Sequence, residues 1–338
     1  MEVNLVKRFF TAIITTCLFT FLFSVSLTDI INSARENDRE YLIAVETYEQ
    51  AVEDHEKSLI EAKTEREELI AEQSFLNSKK SYRNSLLKFY QDIVTLYYSA
   101  IDQMLDLKIK ENSLKLAEMD LNDKKTLHER GIITYEELED ASISYEKAKL
   151  DLEKTNFEYE KTLEDLKWRT SISADVFSTS TLILSPGGLP SSRTFLESDL
   201  DVKIKEIALE VAKLNLEMAE SSYDTEKAER ELKNARRQLD IARRNSMKNY
   251  EEKLFNLKYL YENLLIARRA YELERKNLEN ARKKYEKGII SEKEYMISLN
   301  QLLSKERALF QAEKSYMLSL IDFLINSGLE DPFMKMRR

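Results

Sequence analysis

The chain has 338 residues, one third of them charged, with only 5 Gly and 3 Pro. So few breakers argue against loop-rich globular domains and fit long helices in coiled-coil contact. The formal charge of −9 disfavours a nucleic-acid role, because a polyanion needs a basic face.

Lys7 and Arg8 precede an apolar run from Phe9 to Phe23, followed by Ser24-Val25-Ser26. A basic start, a short apolar middle and small closing residues form the pattern of a cleavable secretory signal. An uncleaved anchor needs about 20 apolar residues, and this run is shorter. A lipoprotein signal ending at Cys17 would place the larger Thr16 before it, after too little apolar sequence. The expectation is an exported chain, cleaved after Ser26. Cys17 is the sole cysteine and leaves with residues 1–26, so no thiol or disulfide remains. The mature charge becomes −10, with acids and bases mixed along its length.

Leu27-Thr28-Asp29-Ile30-Ile31 opens the mature part, with Thr28 or Asp29 as N-cap. Asn37-Asp38 then caps a helix running to about Lys63. Ser221-Ser222-Tyr223-Asp224 is a turn signal. Setting Ala212 on Ala51 places its counterpart near Thr64, so a chain reversal is expected at both places. From about Thr64 to Arg130, and from about Thr225 to Lys287, the pattern is helical without interruption. Some 60 residues at 1.5 Å each span about 90–100 Å.

Sevens mark these stretches. Leu107, Leu114, Leu121 and His128 correspond, 157 residues later, to Leu264, Tyr271, Leu278 and Tyr285. After the turns, Leu138, Tyr145, Leu152, Tyr159 and Leu166 correspond to Tyr295, Leu302, Leu309, Tyr316 and Phe323. A seven-residue repeat keeps one seam facing a partner helix. Ala141 and Ala148 complete the three–four alternation. Packing, not ligand binding, is the ordinary role of such aromatics.

Between the paired series lie Arg130-Gly131-Ile132-Ile133-Thr134-Tyr135-Glu136-Glu137 and Lys287-Gly288-Ile289-Ile290-Ser291-Glu292-Lys293-Glu294. Each glycine is predicted to end a helix as a left-handed cap. Thr134 and Ser291 open the next helix as N-caps, and Glu137 and Glu294 complete capping boxes. Ile132-Ile133 and Ile289-Ile290 supply the apolar contact that closes each turn. One hairpin unit is therefore used twice.

The halves are joined by a Ser-, Thr-, Gly- and Pro-rich segment from about Ser171 to Phe195. Thr181-Leu182-Ile183-Leu184 is a candidate short strand before the Pro186-Gly187-Gly188 turn, with packed coil the alternative. The division is residues 1–26 signal, 27–171 first repeat, 172–197 linker, 198–328 second repeat and 329–338 tail. The tail carries Lys335, Arg337 and Arg338 and is expected to be disordered.

Nothing in this pattern is enzymatic. His55 and His128 are far apart in sequence, and there is no His-x-x-x-His, phosphate-binding Gly loop or nucleophile–base pair. Surface carboxylates at helical spacing are ordinary partners of Lys and Arg. No catalytic residue, metal ligand or cofactor is assigned.

Several segments together resemble the TolC family of outer-membrane efflux ducts. They are the opening Leu27–Ile31 with Ala34-Arg35-Glu36-Asn37-Asp38, the small-x-aromatic-aromatic site Thr95-Leu96-Tyr97-Tyr98, and both Gly turns, in order and duplicated. The resemblance covers nearly all of the mature chain. It implies an all-α fold of long antiparallel coiled-coil hairpins in two tandem repeats, the protomer of a TolC-like α-barrel. It also implies a homotrimer in the periplasm, associated with the outer membrane, that serves efflux or type I secretion. A periplasmic adaptor would dock at grooves defined by Gly131, Thr134, Gly288 and Ser291, and an inner-membrane pump would feed the lumen. The family's acidic entrance ring maps to Glu294 and Ile297, so one acid is kept and one lost. Glu137 and Asp140 hold the equivalent places in the first repeat. Glu137 and Glu294 are also plain capping acids, and the two roles are compatible.

One departure is large. The family inserts two membrane-spanning strands between the long helices of each repeat, and such strands need about 9–11 residues of alternating polarity. Here both places are densely charged, as in Glu61-Ala62-Lys63-Thr64-Glu65-Arg66-Glu67-Glu68. Open sheet edges and loops cannot sit in lipid, so membrane association is expected to be indirect. A structural coiled-coil spacer of the envelope is the competing function. An adaptor-type hairpin protein is disfavoured because no β-rich stretch accompanies the helices.

Overall fold

The computed structural model describes residues 25–173, 177 and 188–333. The signal segment through residue 24, the candidate strand Thr181–Leu184, the Pro186-Gly187 turn and the basic tail residues lie outside them. Eight helices occur among the described residues: α1 Leu27–Asn37, α2 Arg39–Glu61, α3 Glu65–Glu129, α4 Tyr135–Thr170, α5 Ser192–Ser198, α6 Leu200–Glu217, α7 Ser222–Glu286 and α8 Glu292–Asn326. The all-α class and the duplication are as expected. α3 and α7 each have 65 residues, while α4 has 36 and α8 has 35.

The helix starts follow capping chemistry. Asp38 accepts the Tyr41 N–H at 3.0 Å and opens α2. The cap of α1 is Ser26 rather than Thr28 or Asp29. Its hydroxyl accepts the Asp29 N–H (3.2 Å) while Asp29 Oδ2 accepts the Ser26 N–H (3.0 Å). That reciprocal box needs the acid three residues beyond the cap, and Asp29 is the acid. Cleavage after Ser26 would remove this cap.

Both expected chain reversals occur, at residues 62–64 and 218–221. Thr64 Oγ1 accepts from Glu67 N–H (3.2 Å), and Ser221 Oγ accepts from Asp224 N–H (3.0 Å). Three- and four-residue turns leave no room for a spanning strand pair.

The chain forms two compact units, each drawing on both repeats. One comprises Met1–Glu36, Ile93–Thr181 and Asn263–Lys314; the other comprises Asn37–Asp92, Leu182–Glu262 and Ser315–Arg338.

In the first unit α4 pairs antiparallel with α3, with Lys110 to Asp151 at 3.5 Å. α3 pairs with α8 through Asn112–Asn300 (2.9 Å) and through Arg307, which spans Asp102 (2.7 Å) and Asp106 (2.5 Å). α8 pairs with α7, and Tyr285 stacks on Tyr295 at 5.3 Å. The order is therefore α4, α3, α8, α7, with α4 and α7 at the edges. Leu121, Ala141, Leu166, Leu264 and Leu309 are buried at the expected seam positions. α1 buries Ile30, Ile31 and Ala34, and Ser33 donates to the Thr170 carbonyl. Tyr97 and Tyr98 are buried near Phe177 and Phe310, and burial pushes both hydroxyls above their usual range.

In the second unit α2 returns along α3 in a ladder of rings: Tyr41 on Phe89 (4.3 Å), Tyr48 on Tyr82 (4.4 Å) and His55 on Phe75 (4.5 Å). α6 lies against α3 through Leu76, Leu200 and Ile204. The linker is not wholly irregular, because Ser191 caps α5 and buried Phe195 meets Tyr250 and Phe323. Beyond α8, Phe333 is buried and its ring lies 5.5 Å from Tyr90.

Candidate functional site

The two tips, both in the first unit, have one construction. At the first, Gly131 has φ +70°, its N–H donates to the His128 carbonyl (2.8 Å), and Ile132 N–H donates to the Leu127 carbonyl (3.0 Å). At the second, Gly288 has φ +68°, with Gly288 N–H to Tyr285 O (2.8 Å) and Ile289 N–H to Lys284 O (2.9 Å). This double bond pattern around a left-handed residue is the Schellman motif.

The next helix then starts with a capping box. Thr134 N–H donates to Glu137 Oε2 (3.0 Å) and Glu137 N–H to Thr134 Oγ1 (3.3 Å). Ser291 N–H donates to Glu294 Oε2 (2.7 Å) and Glu294 N–H to Ser291 Oγ (3.2 Å). The Ser291 N–H and then its hydroxyl hold the Glu294 carboxyl below the usual range. Each turn thus brings a glycine, a hydroxyl and an acid into one rigid cluster, by three-residue local bonds.

Ile132 and Ile289 correct one expectation, since they are 63% and 66% exposed. Only Ile133 and Ile290 are half-buried. The Schellman bonds close the turn, which leaves the first isoleucine of each pair pointing to solvent. Asp140 is exposed and Ile297 is 49% exposed, both on the first turns beyond the capping boxes.

The sequence did not reveal what joins the two tips. Lys293 pairs with Asp123 (2.6 Å) and Asp120 (3.4 Å) on α3, and Lys115 pairs with Glu292 (2.7 Å). Its hydrogen bond to Asp123 raises the Lys293 pKa. The second tip therefore lies beside the last turns of α3. These partners are more than 160 residues apart, and each alone reads as an ordinary surface charge. His128 lies near Tyr135 (ring centroids 6.3 Å), a packing role. Among the described residues no group of three His, Cys, Asp or Glu is placed to hold a metal.

No protein-family profile matches the sequence, and no curated protein matches it. Solved structures do. CusC aligns at TM-score 0.60 and 15% identity over 89% of this chain and 95% of that one. A membrane protein from Pseudomonas aeruginosa aligns at 0.59 and 12%, over 89% and 90%. The outer membrane protein VceC from Vibrio cholerae aligns at 0.57 and 10%, over 89% and 96%.

The chain has a TolC-like helical fold. No helix among the described residues is long and apolar enough to cross a membrane.

Proposed function

We propose that the chain is the helical duct component of an efflux or type I secretion system. In this reading it is not an enzyme but a passive conduit: identical copies, three by family resemblance, enclose a path for cargo. CusC is described as forming a transmembrane channel and VceC as an outer membrane protein. This chain would act in the periplasm, exported there and attached to the outer membrane indirectly, since its upper turns replace barrel strands.

The observation that carries the reading is the duplicated tip, two Schellman-capped, boxed turns of the same chemistry in one unit of a TolC-like fold. Gly131, Thr134, Gly288 and Ser291 form the surface for a periplasmic adaptor, which in turn couples to an inner-membrane pump. Exposed Ile132 and Ile289 give that surface its apolar contact. Glu137, Asp140 and Glu294 give the entrance negative potential, which favours cations over anions. The spacer reading draws on the same short upper turns, since a rod that never enters lipid needs no strands.

Photo-crosslinking in intact cells separates the two. A photoreactive residue at Ile132 or Ile289 should label a helical-hairpin envelope protein, and the same probe at Leu59, on α2 near the upper turn, should not. Equal labelling at all three positions, or none at the tips, contradicts the duct.

A further inference from the structure

The second unit brings the two chain reversals to one end. Lys80 pairs with Asp201 (2.5 Å), and Arg66 Nε donates to Asn215 Oδ1 (2.8 Å). These contacts set α3 and α6 antiparallel, so the last turn of α6 comes level with residues 62–64 and the 218–221 turn lies beside them. Each turn is closed by its own polar bonds. Glu67 Oε2 accepts the Lys63 N–H (2.7 Å). Ser221 Oγ donates to Asp224 Oδ2 (2.5 Å) and accepts the Asp224 N–H (3.0 Å).

Apolar side chains are therefore not needed to close these turns, yet three stand out from them. Ile60 near the end of α2, Met218 at the end of α6 and Tyr223 in the first turn of α7 are 85%, 65% and 75% exposed. Ile60 is the most exposed large hydrophobic residue among those described. Single exposed apolar residues are unremarkable, but three from three helices at one end mark an interaction surface.

Charge decides what covers it. Residues 61–70 hold four acids and two bases, and residues 215–226 hold four acids and no base. All eight acids are exposed. A surface that enters a lipid interface surrounds its apolar residues with Lys and Arg, and an anionic bilayer repels an acidic one. A second copy set end to end would meet the same acids, like charge against like. A protein with an apolar pocket rimmed by Lys and Arg satisfies both features.

We infer that this end docks a second protein of that chemistry, with Ile60, Met218 and Tyr223 entering its pocket and the acids facing its rim. This rests on the duct reading, in which the 62–64 and 218–221 turns face the outer membrane, and it names the surface through which the indirect attachment is made. The apolar residues anchor the contact, and the acids select the partner.

Photo-crosslinking in cells finds the partner, and two variants of the full chain test its chemistry. A photoreactive residue at Tyr223 should give one dominant adduct with a different protein, crosslinked in an apolar stretch flanked by Lys or Arg. One variant carries Ile60→Ser, Met218→Ser and Tyr223→Ser; the other carries Glu65→Lys, Glu217→Lys and Glu220→Lys. All six sites are exposed, and circular dichroism checks that the helices persist. With the partner purified, each variant should bind it about tenfold or more weakly than wild type at low salt. Raising the salt from about 0.05 to 0.5 M should weaken wild type and the serine variant but not the lysine variant.

No adduct, adducts only between copies of this chain, a crosslinked stretch without Lys or Arg, or binding that either variant leaves unchanged overturns the inference. So does flotation of wild type, but not of the serine variant, with vesicles of about three parts phosphatidylethanolamine to one of phosphatidylglycerol, which would make this end a lipid contact. Labelling at Ile132 and Ile289 reads the duct separately. If it persists while these results fail, only this inference falls; if it is absent, the duct reading falls whatever this end binds.

Discussion

Glycine at the tips acts through backbone conformation alone. A Cβ added at Gly131 or Gly288 would meet nothing within 4 Å, so alanine there costs only the left-handed backbone, about 1–2 kcal/mol. At Gly328 the φ is +89° and the added carbon would sit 2.9 Å from Ser198 Cβ. Urea unfolding should therefore rank Gly328→Ala as more destabilising than Gly131→Ala or Gly288→Ala, and equal midpoints would contradict the account. Glu306, half-buried on α8 beside a small cleft it shares with Arg268, Tyr271 and Glu313, behaves differently. Burial raises its carboxyl pKa, opposed only by Lys108. The fold favours the neutral acid, so its contribution is present at acid pH and fades as pH rises through the raised folded value. Glu306→Gln should be more stable than wild type at pH 7 and no more stable near pH 4. A pH-independent difference would show that burial is not the cause.

At the scale of elements, the capping boxes fix where α4 and α8 begin. Thr134→Ala or Ser291→Ala should each cost about 1 kcal/mol, read as a lower unfolding midpoint and faster amide exchange confined to the first turn. Protection lost along the whole helix would contradict a local cap. These starts were legible in the sequence because a cap needs only residues three apart, as were the hairpins, whose seams repeat at 157 residues. The exception was Thr28 or Asp29, where the reciprocal partner Ser26 lay inside the expected signal. Lateral pairing was not legible. A heptad says that a helix has a neighbour but not which one, so Lys293 against Asp120 and Asp123 and Arg307 against Asp102 and Asp106 needed coordinates. Similarly, the apolar contact expected of Ile132 and Ile289 is missing because the sequence does not reveal that backbone bonds close the turn. Lys293→Met should leave the α8 cap intact while freeing the second tip from α3, seen as greater exchange in α8's first turns with unchanged overall helicity. Unchanged exchange would mean that the ion pairs do not hold it.

Across the whole molecule, the decisive features are those that one copy leaves unsatisfied. These are two edge helices with exposed apolar residues, two tips with exposed isoleucines, and turns at residues 62–64 and 218–221 too short for strands. Electron-microscope images of the purified protein at low salt test the proposed duct most directly. The proposed duct predicts rings with a stain-filled centre; solid discs, or single rods at every concentration, would contradict it.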